Sequence, residues 1–153
     1  MVVAFCGHSD YVENGNDEEI VIELLERIAV GTEIEFFLGG YGSFDDFAYK
    51  CAKRFKERHT YARLVFITPY PSDEYLRRKL EYTKDQFDLI VYPEIENAPI
   101  KYAISHRNRW IADKADVVIA YVMRKYGGAY LTYKRARSKG KTVYNLAVLL
   151  DKA

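Results

Sequence analysis

A single-domain, three-layer α/β fold with a mostly parallel sheet of about six strands is what this sequence predicts, on three observations. Short apolar runs recur along the chain and are nearly continuous rather than alternating, as in strands covered on both faces. Segments with helical spacing lie between them, which implies right-handed βαβ crossovers. Glycine-bearing or polar loops follow the carboxyl ends of several of these runs. The architecture is Rossmann-like, and 153 residues with 49% hydrophobic content suit one domain spanning 1–153.

The expected strands are Val2–Cys6, Ile34–Leu38, Leu64–Thr68, Phe87–Tyr92, Val117–Val122 and Thr142–Leu146. A helix over Asp17–Val30 carries Ile20, Leu24, Leu25 and Ile28 at helical spacing, with Asn16 as candidate N-cap. Ser43 caps a second helix through Arg58, with Phe44, Phe47, Ala48, Cys51, Ala52 and Phe55 on one face. Ser72 caps Asp73–Lys84, and Ser105 caps a helix through Lys114. A last helix, Ala129–Lys139, stops at Gly140. The stretch Pro93–Pro99 reads as irregular.

Gly7-His8-Ser9-Asp10-Tyr11, Gly39-Gly40-Tyr41-Gly42-Ser43, Pro69-Tyr70-Pro71 and Tyr126-Gly127-Gly128 would all lie at the carboxyl edge of the sheet, where open α/β folds bind ligands. Gly39, Gly40 and Gly42 precede a helix whose first N–H groups and dipole favour an anion, so the loop reads as a phosphate cradle. A purely structural tight turn is the alternative for this segment alone. Asp45 and Asp46 follow in the first helical turn. They serve as caps, or else Asp46 accepts hydrogen bonds from a ribose while a phosphate lies nearer the amides. Arg107 and Arg109 are two residues apart and cannot share a helix face, so one points to the crevice and the other packs elsewhere. A guanidinium suits phosphate because its fork donates two parallel hydrogen bonds. Gly127 and Gly128 form a second glycine turn before a helix, with Thr132 able to reach a ligand or bond its own backbone.

Net charge is +1, but it is unevenly spread. Residues 1–50 carry 2 Lys/Arg against 11 Asp/Glu, and residues 101–141 carry 11 against 2. The basic segment could attract phosphates or pair with the acidic part of another copy; two solvated faces is the bland alternative. Cys6 and Cys51 read as reduced, buried thiols. His8, His59 and His106 lack metal-ligand spacing, so no metal is expected. Tyr41, Tyr70, Tyr126 and Trp110 fall near the loops, where an aromatic could stack on a base or simply pack. Neither a leader nor an apolar run of spanning length is evident, so a cytoplasmic protein is expected.

The order Gly7-His8, Gly39-Gly40-Tyr41-Gly42-Ser43-Phe44-Asp45, Arg107-Asn108-Arg109, Ala115-Asp116-Val117-Val118-Ile119-Ala120 and Gly127-Gly128-Ala129 through Lys141-Thr142-Val143 resembles the SLOG superfamily, over nearly the whole chain. That superfamily includes YpsA-like proteins, the DNA-processing protein DprA and the LOG phosphoribohydrolases, and the YpsA-like and DprA order fits best. The resemblance implies a Rossmann-like fold whose glycine loops bind nucleotides or nucleotide-derived ligands, often in a homo-oligomer, with no further cofactor. It places Gly7, His8, Ser9, Gly39, Gly40, Gly42, Ser43, Asp46, Tyr70, Arg107, Asn108, Gly127, Gly128 and Thr132 at the ligand. In the LOG motif G-G-x-G-T-x-x-E, Ser43 matches the threonine and Asp46 the glutamate, one methylene shorter. Asp46 and Arg107 would be the catalytic residues of a phosphoribohydrolase. Displacing a carboxylate by about 1 Å can cost roughly 100-fold in rate, so binding is favoured over cleavage. Single-stranded nucleic-acid binding is a further alternative, supported by the basic segment and opposed by the near-neutral overall charge.

Overall fold

The computed structural model describes residues 1–29, 31, 33–39, 42–68, 86–93 and 102–150. Their elements run β1 (Val2–Gly7), α1 (Asp17–Ala29), β2 (Glu35–Leu38), α2 (Gly42–Arg58), β3 (Arg63–Ile67), β4 (Leu89–Val91), α3 (Ala103–Lys114), β5 (Val117–Tyr121), α4 (Gly128–Ser138), β6 (Thr142–Asn145) and α5 (Leu146–Leu150). All five strand pairings are parallel, in the order β4-β3-β2-β1-β5-β6. The six-stranded Rossmann-like sheet read from the sequence is therefore present. The expected helix Asp73–Lys84, the Pro69-Tyr70-Pro71 loop, and Gly40 and Tyr41 lie outside the described residues.

The register explains why the strands read as continuous apolar runs. Val117, Val3, Phe36 and Leu64 lie side by side across β5, β1, β2 and β3, and all belong to the core beneath α1, α2 and α5. Their successors Val118, Ala4, Phe37 and Val65 form the next row and belong to the core beneath α3 and α4. Side chains alternate with the pleat, but each face meets helices, so both alternations are apolar. The first core is aromatic: the Phe36 ring centroid lies 6.0 Å from that of Phe5 and 5.6 Å from that of Phe55. The second contains Ala4, Ala112, Ala115, Ala120 and Ala136, whose short side chains let α3 and α4 come close to the sheet.

Two expected helix caps differ from the structure. Ser105 lies inside α3, which begins at Ala103 after Tyr102, with no side-chain cap at that position. Ser43 lies inside α2 rather than capping it, because Gly42, at φ 85°, already opens the helix. The stop at Gly140 holds: Gly140, at φ 75°, donates to the Arg137 carbonyl at 3.1 Å and Lys141 to that of Ala136 at 3.0 Å, a Schellman end. Helix α5 is one that the sequence reading leaves out.

The acidic first third finds its counter-charges within the chain. Lys50 contacts Glu13 and Glu18, Arg54 contacts Glu18 and Glu19, and His59 contacts Glu26 at 2.7 Å. Surface pairs of this kind add little stability individually. Their effect on charge layout is larger, since the α1–α2 face is neutralised while the α3–α4 side keeps its cations. No described helix is long and apolar enough to cross a membrane.

Candidate functional site

The strand order changes direction between β1 and β5, so the loops after these strands flank the topological switch point. The structure ties these loops together. His8, only 6% exposed, accepts the Met123 N–H at Nε2 (2.9 Å) and the Arg124 N–H at 3.4 Å, which assigns the imidazole proton to Nδ1. Arg124 in turn grips Asp10 through two hydrogen bonds of 2.8 and 3.0 Å. Burial, then the nearby Arg124 charge, pull the His8 pKa below its ordinary value, with Asp10 opposing.

A histidine depressed in the fold is protonated more readily in the unfolded chain, so its contribution to stability is intact at high pH. That contribution should decline as pH falls below the unfolded value of about 6.5 and level off once the folded imidazole is also charged. Urea unfolding of wild type and His8→Gln across this range should show a smaller decline in the variant; equal slopes would exclude His8 as the source.

On the β2 side, Ser9 holds the start of α2. Its carbonyl accepts the Ser43 N–H at 3.1 Å and the Ser43 hydroxyl at 2.8 Å, and that hydroxyl also reaches the Tyr11 carbonyl. A Cβ on Gly42 would stand 2.7 Å from the Ser9 Cβ, so glycine is required here by both contact and φ. Ser43 thus joins two loops at the sheet edge.

Arg107 is 2% exposed and turned into the protein. Its Nη1 donates to the carbonyls of Gly39 (2.9 Å) and Ile67 (3.1 Å), at the ends of β2 and β3, and its Nε donates to Asn108 Oδ1 at 2.9 Å. Of the two arginines, Arg107 packs inward and Arg109 is exposed. Ala103, Arg107 and Ile111 are spaced four apart and buried together, which is the periodic signal that marks the inward one. Around Gly39 the approach is close: a Cβ there would lie 2.8 Å from Arg107 Nη1 and 3.2 Å from Asp45 Oδ2.

Asp45, not Asp46, therefore stands beside the buried guanidinium. A cavity of about 110 Å³ lies between α2, α3 and α4 at the strand ends, where Gly7, Gly39, Asp45, Arg107, Asn108 and Thr132 line it together. Cys6 also borders it, and burial, with Asp45 adding, pushes that thiol up to about 12, leaving it inert as a nucleophile. A second cavity of about 300 Å³ shares Asn108 and Thr132 and extends between α3 and α4 past Gly128 to Arg109 and Lys134. The two cavities adjoin at Asn108 and Thr132 and together make up the crevice, with Asp45 on the smaller and Arg109 and Lys134 on the larger.

The expected residues sort as follows in space. Gly7, Gly39, Arg107, Asn108, Gly128 and Thr132 line this crevice. His8, Ser9, Gly42 and Ser43 brace its loops. Thr132 spends its hydroxyl on the Gly128 carbonyl at 2.9 Å, the backbone option, and Gly127 at φ 91° precedes α4. Asp46 is exposed on α2 and does not border either cavity. Gly40 and Tyr70 lie outside the described residues. Trp110 packs on Phe37, rings stacked at 5.7 Å, while Tyr126 is exposed beneath the Arg124 guanidinium. Asp45 and Arg109, which the sequence reading weighed but did not choose, border the cavities; each lies within two residues of the one chosen, and helix orientation separates them.

No family model and no curated protein matches the sequence. Solved structures do. DprA from Streptococcus pneumoniae superposes with a TM-score of 0.65 at 21% identity, covering 94% of this chain and 49% of that one. DprA from Helicobacter pylori, described with a single-stranded DNA binding mode, gives 0.61 at 21% identity, covering 94% and 63%. The molybdenum cofactor carrier protein MCP from Chlamydomonas reinhardtii gives 0.55 at 19%, covering 93% and 73%. The chain thus spans about half the length of the S. pneumoniae protein. The Rossmann-like fold that the motif order implies is the fold of this chain, and these solved structures share it.

Proposed function

We propose that this SLOG-type domain binds a nucleotide or nucleotide-derived phosphorylated ligand in the crevice at the carboxyl edge of its sheet, as a binding protein or sensor. The observation that carries the reading is the convergence of Gly7, Gly39, Asp45, Arg107, Asn108 and Thr132 on one cavity, beside a second between α3 and α4 that shares Asn108 and Thr132 with it. Asp45 is placed to accept hydrogen bonds from sugar hydroxyls, and the exposed Arg109 and Lys134 to receive phosphate oxygens at the other end. Cleavage of a glycosidic bond receives less support. The acid matched to the LOG glutamate, Asp46, is exposed outside the cavity, and Arg107 is directed onto backbone carbonyls.

A nucleoside monophosphate present at a hundredfold excess over its Kd should stabilise the protein by about 2.7 kcal/mol, or about 5–10 °C for a chain of this size. Asn108→Leu and Asp45→Ala should remove the shift in a thermal melt. A broad nucleotide panel with no shift in wild type, or variants that respond as wild type does, would sink the reading.

Single-stranded nucleic acid is a second reading, favoured by the cation excess on the α3–α4 side and by the single-stranded DNA binding mode of the similarly folded H. pylori DprA. Its mark is oligonucleotide affinity that falls steeply with salt. A homo-oligomer belongs to the same reading, with the exposed Tyr102, Ile104 and Leu131 offering apolar surface to a second copy; sedimentation velocity tests it.

A further inference from the structure

A groove of about 410 Å³ opens at the carboxyl ends of β5 and β6, walled by residues 122–125, by α4 and by Asn145. Arg124, Lys125, Lys134 and Arg137 line it, together with Tyr130 and Tyr133, and no Asp or Glu does. Tyr130, Tyr133, Lys134 and Arg137 are spaced i, i+3, i+4 and i+7, so one face of α4 presents them all. Asn145 fixes the opposite wall, accepting the Val122 N–H at 3.1 Å and donating to the Val122 carbonyl at 3.0 Å.

The electrostatics of this groove are unbalanced. Among the described residues, Lys125, Lys134 and Arg137 have no carboxylate partner, whereas on the neighbouring surface Arg135 pairs with the Asp113 carboxylate and Lys141 donates to the Asp113 backbone carbonyl. Arg137 donates to the Tyr133 hydroxyl at 3.1 Å with its guanidinium 5.6 Å from that ring, which holds the cation over the groove. Arg124 is paired with Asp10, yet its Nε is buried without an acceptor. Lys125, Lys134 and Arg137, three like charges lining one concave surface, repel one another until a counter-charge enters. Lys125 stands on the segment after β5 while Lys134 and Arg137 stand on α4, so an extended anion can meet cations from both elements, and the Arg137 guanidinium suits phosphate oxygens.

We propose that this groove, separate from the Asp45 cavity, is a binding site for a chain of two or more phosphates, carried by a free oligophosphate or by a nucleoside di- or triphosphate. Lys134 stands on the crest between this groove and the α3–α4 cavity and borders both. Calorimetric titration of the full chain with tripolyphosphate, ATP and inorganic phosphate tests it. Tripolyphosphate and ATP should bind at least about tenfold more tightly than inorganic phosphate, with affinity falling as salt rises. The Lys125→Glu/Arg137→Glu variant, altered at two exposed positions, should keep its unfolding midpoint and lose about tenfold or more of that affinity, since charge reversal turns attraction into repulsion. Asn108→Leu should retain it, which separates this site from the crevice proposed above. Similar affinities for tripolyphosphate and ATP support a site for the phosphate chain alone, and tighter ATP binding adds a contact to the nucleoside. The proposal is overturned by no binding of either probe, by binding that survives the double reversal or is lost in Asn108→Leu, or by an oligothymidylate that binds when neither probe does.

Discussion

Gly7→Val should cost about 3 kcal/mol or more and lower the urea midpoint accordingly, the upper end of what overpacking a core does. Gly7 ends β1 where α2 crosses the sheet edge, and a Cβ there would lie 2.3 Å from Cγ and Cδ1 of Phe44 and 2.9 Å from its Cβ. Phe44 has nowhere to retreat. It is fully buried, with Tyr11 edge-on at 5.3 Å, Phe47 at 6.0 Å and Tyr121 at 6.2 Å. The clash must therefore push α2 away from β1, opening the cavity at Gly39 and Asp45. Pairing Gly7→Ala with Phe44→Leu should recover part of the loss, because the two residues share one contact and their effects will not add. An unchanged midpoint in Gly7→Val would mean that α2 does not pack on this glycine.

Arg107→Ala should lose about 3 kcal/mol in the absence of any ligand, and should weaken ligand binding as a consequence. Removing the guanidinium leaves the Gly39 and Ile67 carbonyls without their buried donor, and each buried group left unsatisfied costs about 1–3 kcal/mol. It also leaves Asp45 without its neighbouring cation at the ends of β2 and β3, where breaking a buried charge arrangement is costly. Arg107→Lys should recover only part, because an ammonium cannot reproduce the guanidinium fork that spans two carbonyls and Asn108. Urea unfolding of the unliganded variants decides the matter. A residue whose work is to hold phosphate would leave the unliganded stability within about 0.5 kcal/mol of wild type.

Much of the fold was legible because its physical causes are local or periodic. Strands buried on both faces announce themselves as continuous apolar runs, and Val3 with Ala4 shows why: one faces α1 and α2, the other α3 and α4. Gly140 reads as a stop because only glycine takes φ 75° without strain. Ser105 misled because serine signals a cap only where the helix has not already begun, and α3 starts at Ala103. Helix α5 escaped notice since five apolar residues directly after β6 carry no helical period to separate them from the strand.

The sequence by itself determined the fold class, with its mostly parallel sheet and the loops that follow its strands, since these come from hydrophobic period, glycine placement and the handedness of βαβ units. The tertiary structure alone decided which of two nearby residues on one helix borders the cavity or enters the core. Asp45 rather than Asp46 borders the cavity, and Arg107 rather than Arg109 enters the core. Neighbouring helix positions differ by about 100° around the axis. That angle turns into inside or outside only when α2 docks through Phe44 and Phe47 and α3 through Ile111 and Ala112, contacts made with strands far away in the chain.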